Sequence, residues 1–477
     1  MENQSQKLGL AGLTAIVFSS MVGGGIFAIP QNMAEGAGLG ATIISWIISG
    51  FGVLCLVLTF KILADLRPDL NAGIYQYAKE TCGNYVGFNI AWGYWLCAAM
   101  GNVAFAVMLN DALGYFFPFF LNYSWQTVLL GSVFIWGMFL LVASGIKEAS
   151  VINFIVSLVK FLAISFIVIV MIIYAKVGAL SWDFWGRAEH LGSLTEQIRS
   201  TMLITLWCFI GVEGAVVVSG RAKHSSDVGK AGVIGFILAL LLYLLISVLS
   251  FGILHQPELA KLSNPSVAYV LEAAVGKWGA IFVLVSIIFS IIGGWIAWTI
   301  LCAQVPFTAA QVNMLPKVFA HENKHGSPIY ALLASSILMQ IFIFIVVMAE
   351  SVYLAAIEIA GVMILPSYLF SGIYLIKASY DGELHANNQH SLKRYRVIGL
   401  FTTIYCIWLI YAGGLELFFL TSLFYLIGVL FYVKARHEVV GYSKEIFTSN
   451  EKMLALIIAL AAVVSAILIV SGFTTLS

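Results

Sequence analysis

Apolar stretches of about 20 residues recur almost from one end of this chain to the other, and each is long enough for a helix to cross a lipid bilayer. The composition agrees, because 61% of the 477 residues are hydrophobic, only 10% are charged and the mean hydropathy is +0.98. Soluble proteins lie far from these values. The sequence therefore predicts an all-α polytopic membrane protein whose residues 1–477 form a single transmembrane domain.

The apolar pattern predicts about twelve to thirteen transmembrane helices, with boundaries good to a few residues. The predicted spans are 10 to 34, 40 to 64, 85 to 116, 125 to 144, 150 to 175, 197 to 219, 231 to 254, 277 to 305, 328 to 348, 352 to 376, 395 to 413, 415 to 434 and 453 to 473. Lys7 precedes a first span that continues past Pro30 without a small-residue cleavage site. We therefore expect a retained first helix rather than a cleaved signal peptide.

Lys and Arg residues are sorted between the predicted loops, and cytoplasmic loops are the ones that retain positive charge. With a cytoplasmic N-terminus, the cytoplasmic connections hold Lys61, Arg67, Lys79, Lys147, Arg221, Lys223, Lys230, Lys317, Lys324, Lys377, Lys393, Arg394, Arg396, Lys434, Arg436, Lys444 and Lys452. The outer loops hold only Lys176, Arg187, Arg199, Lys261 and Lys277. We predict a multi-pass protein of the plasma membrane or bacterial inner membrane, with its N-terminus in the cytoplasm. The C-terminus is then predicted outside, unless the last span is not a true crossing.

Three consecutive glycines interrupt the first span, which reads Phe-Ser-Ser-Met-Val-Gly-Gly-Gly-Ile-Phe-Ala-Ile-Pro from Phe18 to Pro30. Each glycine costs a helix about 1 kcal/mol relative to alanine. Within a bilayer, unwound backbone is tolerated only where protein or a water-filled cavity covers it. The run therefore predicts a discontinuous first helix near the membrane midplane, which is where transporters bind their substrates.

A second interruption lies in the sixth span, at Gly211, Glu213 and Gly214. The two breaks are five helices apart, as expected if two five-helix halves of opposite topology each begin with a discontinuous helix. We predict a first repeat over about residues 10–175, a second over about 197–376 and additional C-terminal helices over about 395–473. The alternative is close packing, because small residues also let two helices approach each other.

Two broken helices that meet at the midplane suit a zwitterionic ligand. Free amides where a half-helix begins can hold a carboxylate, and exposed carbonyls where another half-helix ends can hold an ammonium group. An α-amino acid carries both groups, so the pattern favours an amino acid carrier.

Four stretches of the chain carry a resemblance to a known family. They are Ser20-Met-Val-Gly-Gly-Gly-Ile-Phe27, Phe209-Ile-Gly-Val-Glu-Gly-Ala215, Ser219-Gly-Arg-Ala-Lys223 with Ser226-Asp-Val-Gly-Lys230, and Trp298-Thr-Ile-Leu-Cys-Ala-Gln304. They resemble the basic amino acid antiporters of the amino acid, polyamine and organocation (APC) superfamily, and the Ser-Gly-Arg-Ala-Lys stretch is most similar to the arginine/ornithine branch. The resemblance covers about residues 7–435. It implies the five-plus-five inverted-repeat (LeuT-like) transporter fold, with discontinuous helices 1 and 6.

The resemblance also implies a substrate site made largely of backbone. The substrate carboxylate would meet the amides of Gly24 and Gly25, and Gly23 would permit its approach. The α-amino group would meet carbonyls of the residues that match the family motif, namely Met21, Trp207 and Ile210. Serine is common in the family where this chain has Gly24, so a side-chain hydroxyl contact is absent here.

Two tryptophans correspond to aromatic residues of the family. Trp207 matches a tryptophan that lies over the bound side chain and helps to close the outer path, and a cation against an indole face gains about 0.5–2 kcal/mol. Trp298 resembles a tryptophan of the eighth helix that packs on the aliphatic part of the substrate, although Trp295 competes for that role. The alternative for both is ordinary packing or a place at the membrane interface.

Two residues of the third span also match the family. Asn102, which follows Gly101, resembles an asparagine whose amide contacts a guanidinium in arginine-selective relatives. Its alternative is an interhelical hydrogen bond, which is worth about 0.6 kcal/mol in a membrane. Tyr94 matches a tyrosine associated with gating.

Ionisable residues inside spans are expensive, at about 2.5–3.5 kcal/mol each, and are therefore candidates for function. Glu213 lies at the sixth-helix break, where it would gate, carry a proton or attract a cation; helix capping is the alternative. Lys160 resembles a fifth-helix lysine whose ammonium replaces a sodium ion and steadies the first-helix carbonyls. The pattern does not decide between a cavity and a helix contact for Glu358. We expect Asp111 to be solvated near the outer end of its span.

These observations predict a secondary transporter that exchanges cationic amino acids, arginine for ornithine in the first place, by alternating access. Arginine/agmatine exchange, lysine/cadaverine exchange, proton coupling and a transporter-fold amino acid sensor stay open as alternatives. A membrane enzyme is disfavoured, because no nucleophile or metal motif is present in the sequence. A channel would use polar-lined helices without a closed, zwitterion-sized pocket, and a counterflow assay separates it from a carrier. We expect no cofactor and no metal. The partners are cationic amino acids and membrane lipid; the net charge of +1 does not indicate nucleic acid, and the oligomeric state is open.

Overall fold

A computed structural model describes residues 7–70, 73–120, 125–180, 182–348, 350–384, 389–441 and 445–471. Within these ranges the chain is all α-helical, and its one β-type pairing is an isolated parallel bridge between Leu8 and Ala222. The helices are α1 Leu10–Met21, α2 Ile29–Gly36, α3 Leu39–Leu66, α4 Ile74–Cys82, α5 Asn84–Phe116, α6 Trp125–Ala143, α7 Ile146–Tyr174, α8 Val177–Leu180, α9 Leu194–Phe209, α10 Gly214–Val217, α11 Ser225–Phe251, α12 Gln256–Ala260, α13 Ser266–Val275, α14 Lys277–Gln311, α15 Ile329–Met348, α16 Glu350–Tyr380, α17 Gln389–Gly413, α18 Leu415–Val440 and α19 Ser449–Val470.

Every predicted span coincides with one of these helices or with an interrupted pair of them. Ten helices of the described ranges are long and apolar enough to cross a membrane. The three remaining predicted spans coincide with α1 and α2, with α9 and α10, and with α15. The prediction of an all-α polytopic membrane protein is therefore confirmed.

The first span is broken where the three glycines predict it. Helix α1 ends at Met21, and Val22 leaves helical geometry with φ −81° and ψ 74°. One short 3₁₀ turn over Gly25–Phe27 follows, and α2 then starts at Ile29. Pro30 stands in the first turn of α2, where its missing N–H costs nothing.

The sixth span is broken in the same way. Helix α9 begins with a capping box between Ser193 and Glu196 and ends at Phe209. Gly211 then adopts φ +106°, a left-handed conformation that residues with a side chain rarely reach. The chain resumes helical geometry at Gly214.

The two breaks touch each other. Ser20 Oγ donates a hydrogen bond to the carbonyl of Gly211 at 2.8 Å, so the end of α1 is tied to the break between α9 and α10. A β-carbon added to Gly211 would lie 2.6 Å from Ser20 Cβ, which shows how closely the two backbones approach. Glycine is required here by both its φ angle and the space.

Neighbouring helices hold these broken segments in place. Helix α14 packs against α1, α5 and α7, and α11 packs against α1 and α3. Helices α3 and α9 are joined by two hydroxyl pairs one turn apart, Ser45 to Thr201 at 2.7 Å and Ser49 to Thr205 at 2.6 Å. Such bonds between helices are worth about 0.6 kcal/mol each in a membrane, so they orient α9 more than they stabilise it.

The C-terminal helices α17, α18 and α19 follow the predicted repeats. Helix α19 packs against α18, and the carboxylate of Glu451 at its start accepts a hydrogen bond from the backbone N–H of Tyr85 at 3.0 Å. This contact ties α19 to the first turn of α5. Glu358 lies in α16, in a stretch (350–360) whose side chains are outside the described part of the chain.

The distribution of Lys and Arg predicts that one end of the helical bundle faces the cytoplasm, the predicted inner end, and the other faces outward, the predicted outer end. The predicted inner end holds α4 and the segment 218–224. The predicted outer end holds the segments 175–193 and 252–276.

Candidate functional site

A cavity of about 510 Å³, including space open to solvent, lies between the two helix breaks. Backbone of the first break, one face of α5, the end of α9 and the interior of α14 line it. The lining residues are Ser20, Met21, Gly23, Gly24, Gly25, Ile26, Cys97, Gly101, Ala104, Phe105, Met108, Trp207, Cys208, Ile210, Tyr243 and Trp298. Seven of the eight residues predicted to bind substrate are among them; Asn102 is not.

The first break presents unpaired amides to this cavity. Within the described residues, the N–H groups of Gly24, Gly25 and Ile26 donate no hydrogen bond. Gly23 N–H is turned back to the carbonyl of Met21 at 2.9 Å. Three neighbouring free donors form a concave anion-binding surface of the kind that carboxylates and phosphates occupy. This geometry suits a carboxylate ligand.

The sixth break presents carbonyl oxygens. The carbonyl of Ile210 accepts no hydrogen bond within the described residues, and the carbonyl of Trp207 accepts a long one of 3.4 Å from Ile210 N–H. The carbonyl of Met21 already accepts from Gly23 and has a second lone pair available. These oxygens offer acceptor positions for an ammonium group among the residues that line the cavity.

Lys160 is fully buried in α7 and holds the first break from behind. Its ammonium donates hydrogen bonds to the carbonyl of Val22 at 2.6 Å and to the carbonyl of Ser19 at 3.3 Å, and it lies 5.5 Å from the ring centre of Phe18. Ser290 of α14 donates to the carbonyl of Gly23 at 2.8 Å. With their oxygens bound from behind, the peptide groups of the break can turn their N–H groups toward the cavity.

The two candidate tryptophans both reach the cavity. Trp207 is half-buried, and a β-carbon added to Gly25 would lie 3.6 Å from its Cδ1 atom, so the indole stands directly beside the free amides. Trp298 donates its indole N–H to the carbonyl of Ser20 at 2.8 Å. Trp295 instead stacks on Phe134, with ring centres 5.2 Å apart, and does not line the cavity. Placement therefore favours Trp298 over Trp295 for a ligand contact.

Glu213 and Tyr94 belong to one buried network on the predicted inner side of the cavity. The hydroxyl of Tyr94 donates to Glu213 Oε1 at 2.7 Å, and the hydroxyl of Tyr368 donates to Oε2 at 2.6 Å. The N–H of Gly211 adds a third bond to Oε2 at 3.1 Å. Tyr94 also stacks on Trp298, with ring centres 6.3 Å apart. The network joins α5, α16 and the sixth break into one closed layer.

The side chain of Asn102 points away from the cavity. Its Nδ2 donates to the carbonyl of Ala98 at 2.8 Å, and its Oδ1 accepts from Thr299 of α14 at 3.4 Å. Successive helical residues are rotated by about 100°, so the lining position Gly101 directs its neighbour elsewhere. The structure thus gives Asn102 the interhelical bond that is the alternative to a substrate contact; its role toward a guanidinium stays a prediction.

Sequence reasoning missed most of the α5 contribution. Cys97, Gly101, Ala104 and Met108 follow one another at intervals of three or four residues and line the cavity together. A helical projection of α5 centred on Gly101 reveals this face. Tyr243 was missed as well, and no local pattern marks it, because its hydroxyl reaches the carbonyl of Cys208 from α11.

Asp111 lies five residues before the end of α5, and its expected solvated state stays a prediction. It is half-buried and lines a second, smaller cavity toward the predicted outer end, together with Gly24, Ala28, Met108, Asn264, Pro265 and Ile287. Asn264 and Pro265, which lie between α12 and α13, line this cavity together with the outer part of α5.

Charged side chains are absent from the described lining of the main cavity. The ammonium of Lys160 and the carboxylate of Glu213 both lie behind it, occupied by hydrogen bonds within the protein. No group of three or more His, Cys, Asp or Glu side chains suited to a metal ion occurs in the part of the chain that the structure describes. The site can thus bind a dipolar ion through backbone and aromatic groups.

Comparison with known proteins places the chain among transporters. The family model described as amino acid permease matches residues 8–463. An arginine/ornithine antiporter of Pseudomonas aeruginosa is 41% identical over 483 residues, covering 100% of both chains. An arginine/agmatine antiporter of Chlamydia pneumoniae is 41% identical over 98% of both chains. An arginine/agmatine antiporter of Chlamydia trachomatis is 42% identical over 96% of this chain and 95% of its own.

Proposed function

Since the chain belongs to the amino acid permease family, we propose that it exchanges cationic amino acids across a membrane, with arginine for ornithine as the first pair. The observation that carries the proposal is the cavity between the two helix breaks, which is lined by free amides of the first break and by carbonyl acceptors of both breaks. Full-length relatives with antiporter activity in their names support the substrate class.

In the proposed complex the substrate bridges the two breaks. Its carboxylate lies against the amides of Gly24, Gly25 and Ile26, and its ammonium group lies against the carbonyl of Ile210. The indoles of Trp207 and Trp298 flank the cationic side chain, where a desolvated cation–π contact is worth up to about 2 kcal/mol. The substrate thereby replaces hydrogen bonds that the broken helices cannot make for themselves.

Exchange follows if this bridging lowers the barrier between the two access states. The empty cavity holds unpaired amides that must stay hydrated during reorientation, whereas a bound substrate satisfies them. A ligand shifts such an equilibrium only by its differential affinity for the states involved. The layer of Tyr94, Glu213 and Tyr368 serves as the gate toward the predicted inner end.

We also propose that residues about 10–175 and 197–376 form two inverted repeats, with helices about 395–473 added after them. The support is a correspondence in how the breaks are braced. Lys160 of the fifth span bonds to the first break, and Tyr368 of the tenth span bonds to Glu213 in the sixth break. Related halves would place such braces at equivalent positions.

The distribution of Lys and Arg supports a cytoplasmic N-terminus for the proposed carrier. With this orientation the segment 218–224 faces the cytoplasm and the segment 252–276 faces outward. Glycosylation or thiol tags placed in each segment would test the assignment, and reaction of a 252–276 tag from the cytoplasmic side would contradict it.

Counterflow in proteoliposomes tests the function. Vesicles loaded with unlabelled ornithine should accumulate labelled arginine, and empty vesicles should not. A channel would equilibrate the label regardless of the internal load, and a sensor would bind arginine in detergent without counterflow. Absence of both binding and counterflow for every cationic amino acid would refute the proposal.

A panel of internal substrates decides between the exchange pairs. Agmatine differs from arginine by the loss of its carboxylate, so an arginine/agmatine exchanger must also carry a ligand that leaves the free amides unoccupied. The panel includes agmatine because the relatives from both Chlamydia species are named arginine/agmatine antiporters. If arginine uptake is faster with internal agmatine than with internal ornithine, arginine/agmatine becomes the proposed exchange pair in place of arginine/ornithine.

A further inference from the structure

The Ser-Gly-Arg-Ala-Lys stretch of residues 219–223 lies outside the lining of the main cavity and joins the two broken helices at their far ends. Leu8, which precedes α1, donates its N–H to the carbonyl of Arg221 at 2.7 Å and accepts from the N–H of Lys223 at 2.7 Å. These two bonds form the parallel bridge between Leu8 and Ala222. The start of α1 is therefore tied to the segment that follows α10.

The same two helices are also joined at the breaks. Ser20 Oγ donates to the carbonyl of Gly211 at 2.8 Å. A β-carbon added to Gly214 would lie 3.3 Å from Ser20 Oγ and 3.4 Å from Ile16 Cγ2, so α1 and the start of α10 are in contact. Segments that are fastened to each other at both ends move together as a rigid body. Helices α1 and α10 and the segment 218–224 thus form one unit, the inner leaf.

The side chain of Arg221 fastens the inner leaf to α14 and to the chain that follows α14. Its Nε donates to Gln304 Oε1 at 2.8 Å, and one Nη donates to the carbonyl of Gly326 at 3.0 Å. The other Nη forms an ion pair with Glu322 at 2.7 Å. A planar guanidinium directs its donors in fixed directions, so one side chain binds three separate acceptors.

The acceptors of this guanidinium stand on a fixed support. Asn323 Nδ2 donates to the carbonyl of Ala143 at 2.8 Å, and Ser327 Oγ donates to the carbonyl of Val142 at 2.6 Å. These bonds anchor the segment 321–328 to the end of α6. Helix α14, which supplies another acceptor, packs against α5, α7 and α15. The guanidinium therefore connects the broken helices to the continuous helices α6 and α14.

We propose that Arg221 is a gating residue, which holds the inner leaf against α14 and the segment 321–328 while the cavity is closed toward the predicted inner end. The inference rests on the proposed function, because only a carrier alternates its access. Along the chain, Arg221 follows Glu213 of the closed layer and lies nearer the predicted inner end. Bonds that exist in one of two states stabilise that state, so their loss favours opening on this side.

Accessibility of Cys97 tests the role of Arg221. Cys97 lines the cavity, and in a variant that keeps it as the one cysteine a membrane-impermeant methanethiosulfonate reagent reports access. The reagent is added on the side where tags place the segment 218–224. Arg221→Gln should accelerate modification at least about 10-fold, because one charge-assisted hydrogen bond already supplies a shift of that size. From the opposite side the rate should not rise, whereas a generally loosened fold would raise both rates.

Glu322→Gln isolates the ion pair. Because Glu322 is 41% exposed, this variant alone should accelerate modification about 2-fold to 5-fold. Added to Arg221→Gln it should have no further effect, because the charge of its partner is already gone. Further acceleration in the double variant would overturn the assigned pairing.

Arg396→Gln is the matched control. Arg396 is also half-buried, and it donates to the carbonyl of Ser379 at 2.9 Å. This bond joins α17 to α16 rather than to the inner leaf. Its removal should therefore leave the modification rate of Cys97 unchanged from both sides.

The rates on the two sides decide the proposal. An unchanged rate for folded Arg221→Gln on the side of the segment 218–224, or equal acceleration from both sides, would overturn the gating role. If Arg221→Gln does not fold, Glu322→Gln decides in its place, and an unchanged rate on that side would again overturn the proposal. Modification is measured without transport, so these results are separate from counterflow. Absence of counterflow in the wild-type protein would instead refute the proposed function.

Discussion

Replacing Glu213 by glutamine tests whether this carboxylate keeps the predicted inner end closed. Its oxygens accept hydrogen bonds from the hydroxyl of Tyr94 at 2.7 Å, from the hydroxyl of Tyr368 at 2.6 Å and from the N–H of Gly211 at 3.1 Å. A hydrogen bond to a charged group contributes about 1.5–3 kcal/mol and a neutral one about 0.5–1.5 kcal/mol. With both tyrosine bonds reduced to neutral strength, the closed layer loses about 2 kcal/mol.

A loss of this size shifts the equilibrium between closed and open layers by about 30-fold. Cys97 reports the shift, because it lines the cavity and lies three residues from Tyr94 on α5. In a variant that keeps Cys97 as its one cysteine, a membrane-impermeant methanethiosulfonate reagent is added to inside-out vesicles. Glu213→Gln should accelerate modification of Cys97 by about 30-fold, and excess arginine should slow it.

Glu451→Gln is the matched control for this experiment. Glu451 is also a buried carboxylate that accepts a tyrosine hydroxyl, from Tyr432 at 3.3 Å, but it lies at the start of α19, away from the cavity. Its replacement should lower the melting temperature without changing the modification rate. Folded Glu213→Gln protein with an unchanged rate of Cys97 modification would refute the idea that a charged carboxylate closes this layer.

Three further predictions follow from the site. Trp207→Ala should raise the arginine Kd, measured by calorimetry in detergent, by about 2-fold to 30-fold through loss of a cation–π contact. Trp207→Phe should keep most of the affinity. Equal affinity in both variants would remove Trp207 from the site. Lys160→Met should reduce the initial counterflow rate at least about 10-fold, because the carbonyl of Val22 loses a charge-assisted hydrogen bond. The arginine Kd should change less. A wild-type counterflow rate would contradict the bracing role of Lys160. Gly211→Ala should destabilise the protein by about 1–3 kcal/mol through its strained φ, seen as a lower melting temperature, whereas Gly137→Ala, with open space around the added carbon, should not.

The helix breaks and much of the cavity followed from local sequence. Glycine runs are poor helix formers wherever they occur, and lipid makes unpaired backbone so costly that such a run predicts a covered break. The structure accordingly ends α1 at Met21 and α9 at Phe209. The family resemblance added Trp207 and Trp298, both of which line the cavity.

Rotation of one helix explains why Asn102 lies outside the cavity lining although its neighbour Gly101 belongs to it. Asn102 is next to Gly101 in the chain but about 100° away on the helix. A motif match assigns residues by position in the chain and does not contain this angle. The angle became visible only once the structure placed Gly101 in the cavity lining and Asn102 in a hydrogen bond with Thr299 of α14.

The amino-acid order by itself determined where this chain crosses the membrane and where two of its helices must stop, because hydropathy and helix propensity act over a few neighbouring residues. Tertiary structure alone decided which side chains meet at those stops. The carboxylate of Glu213 accepts hydrogen bonds from Tyr94 and Tyr368, which are 119 and 155 residues away in the sequence. Contacts over such distances depend on how whole helices tilt and rotate as they pack, and no local pattern records that packing.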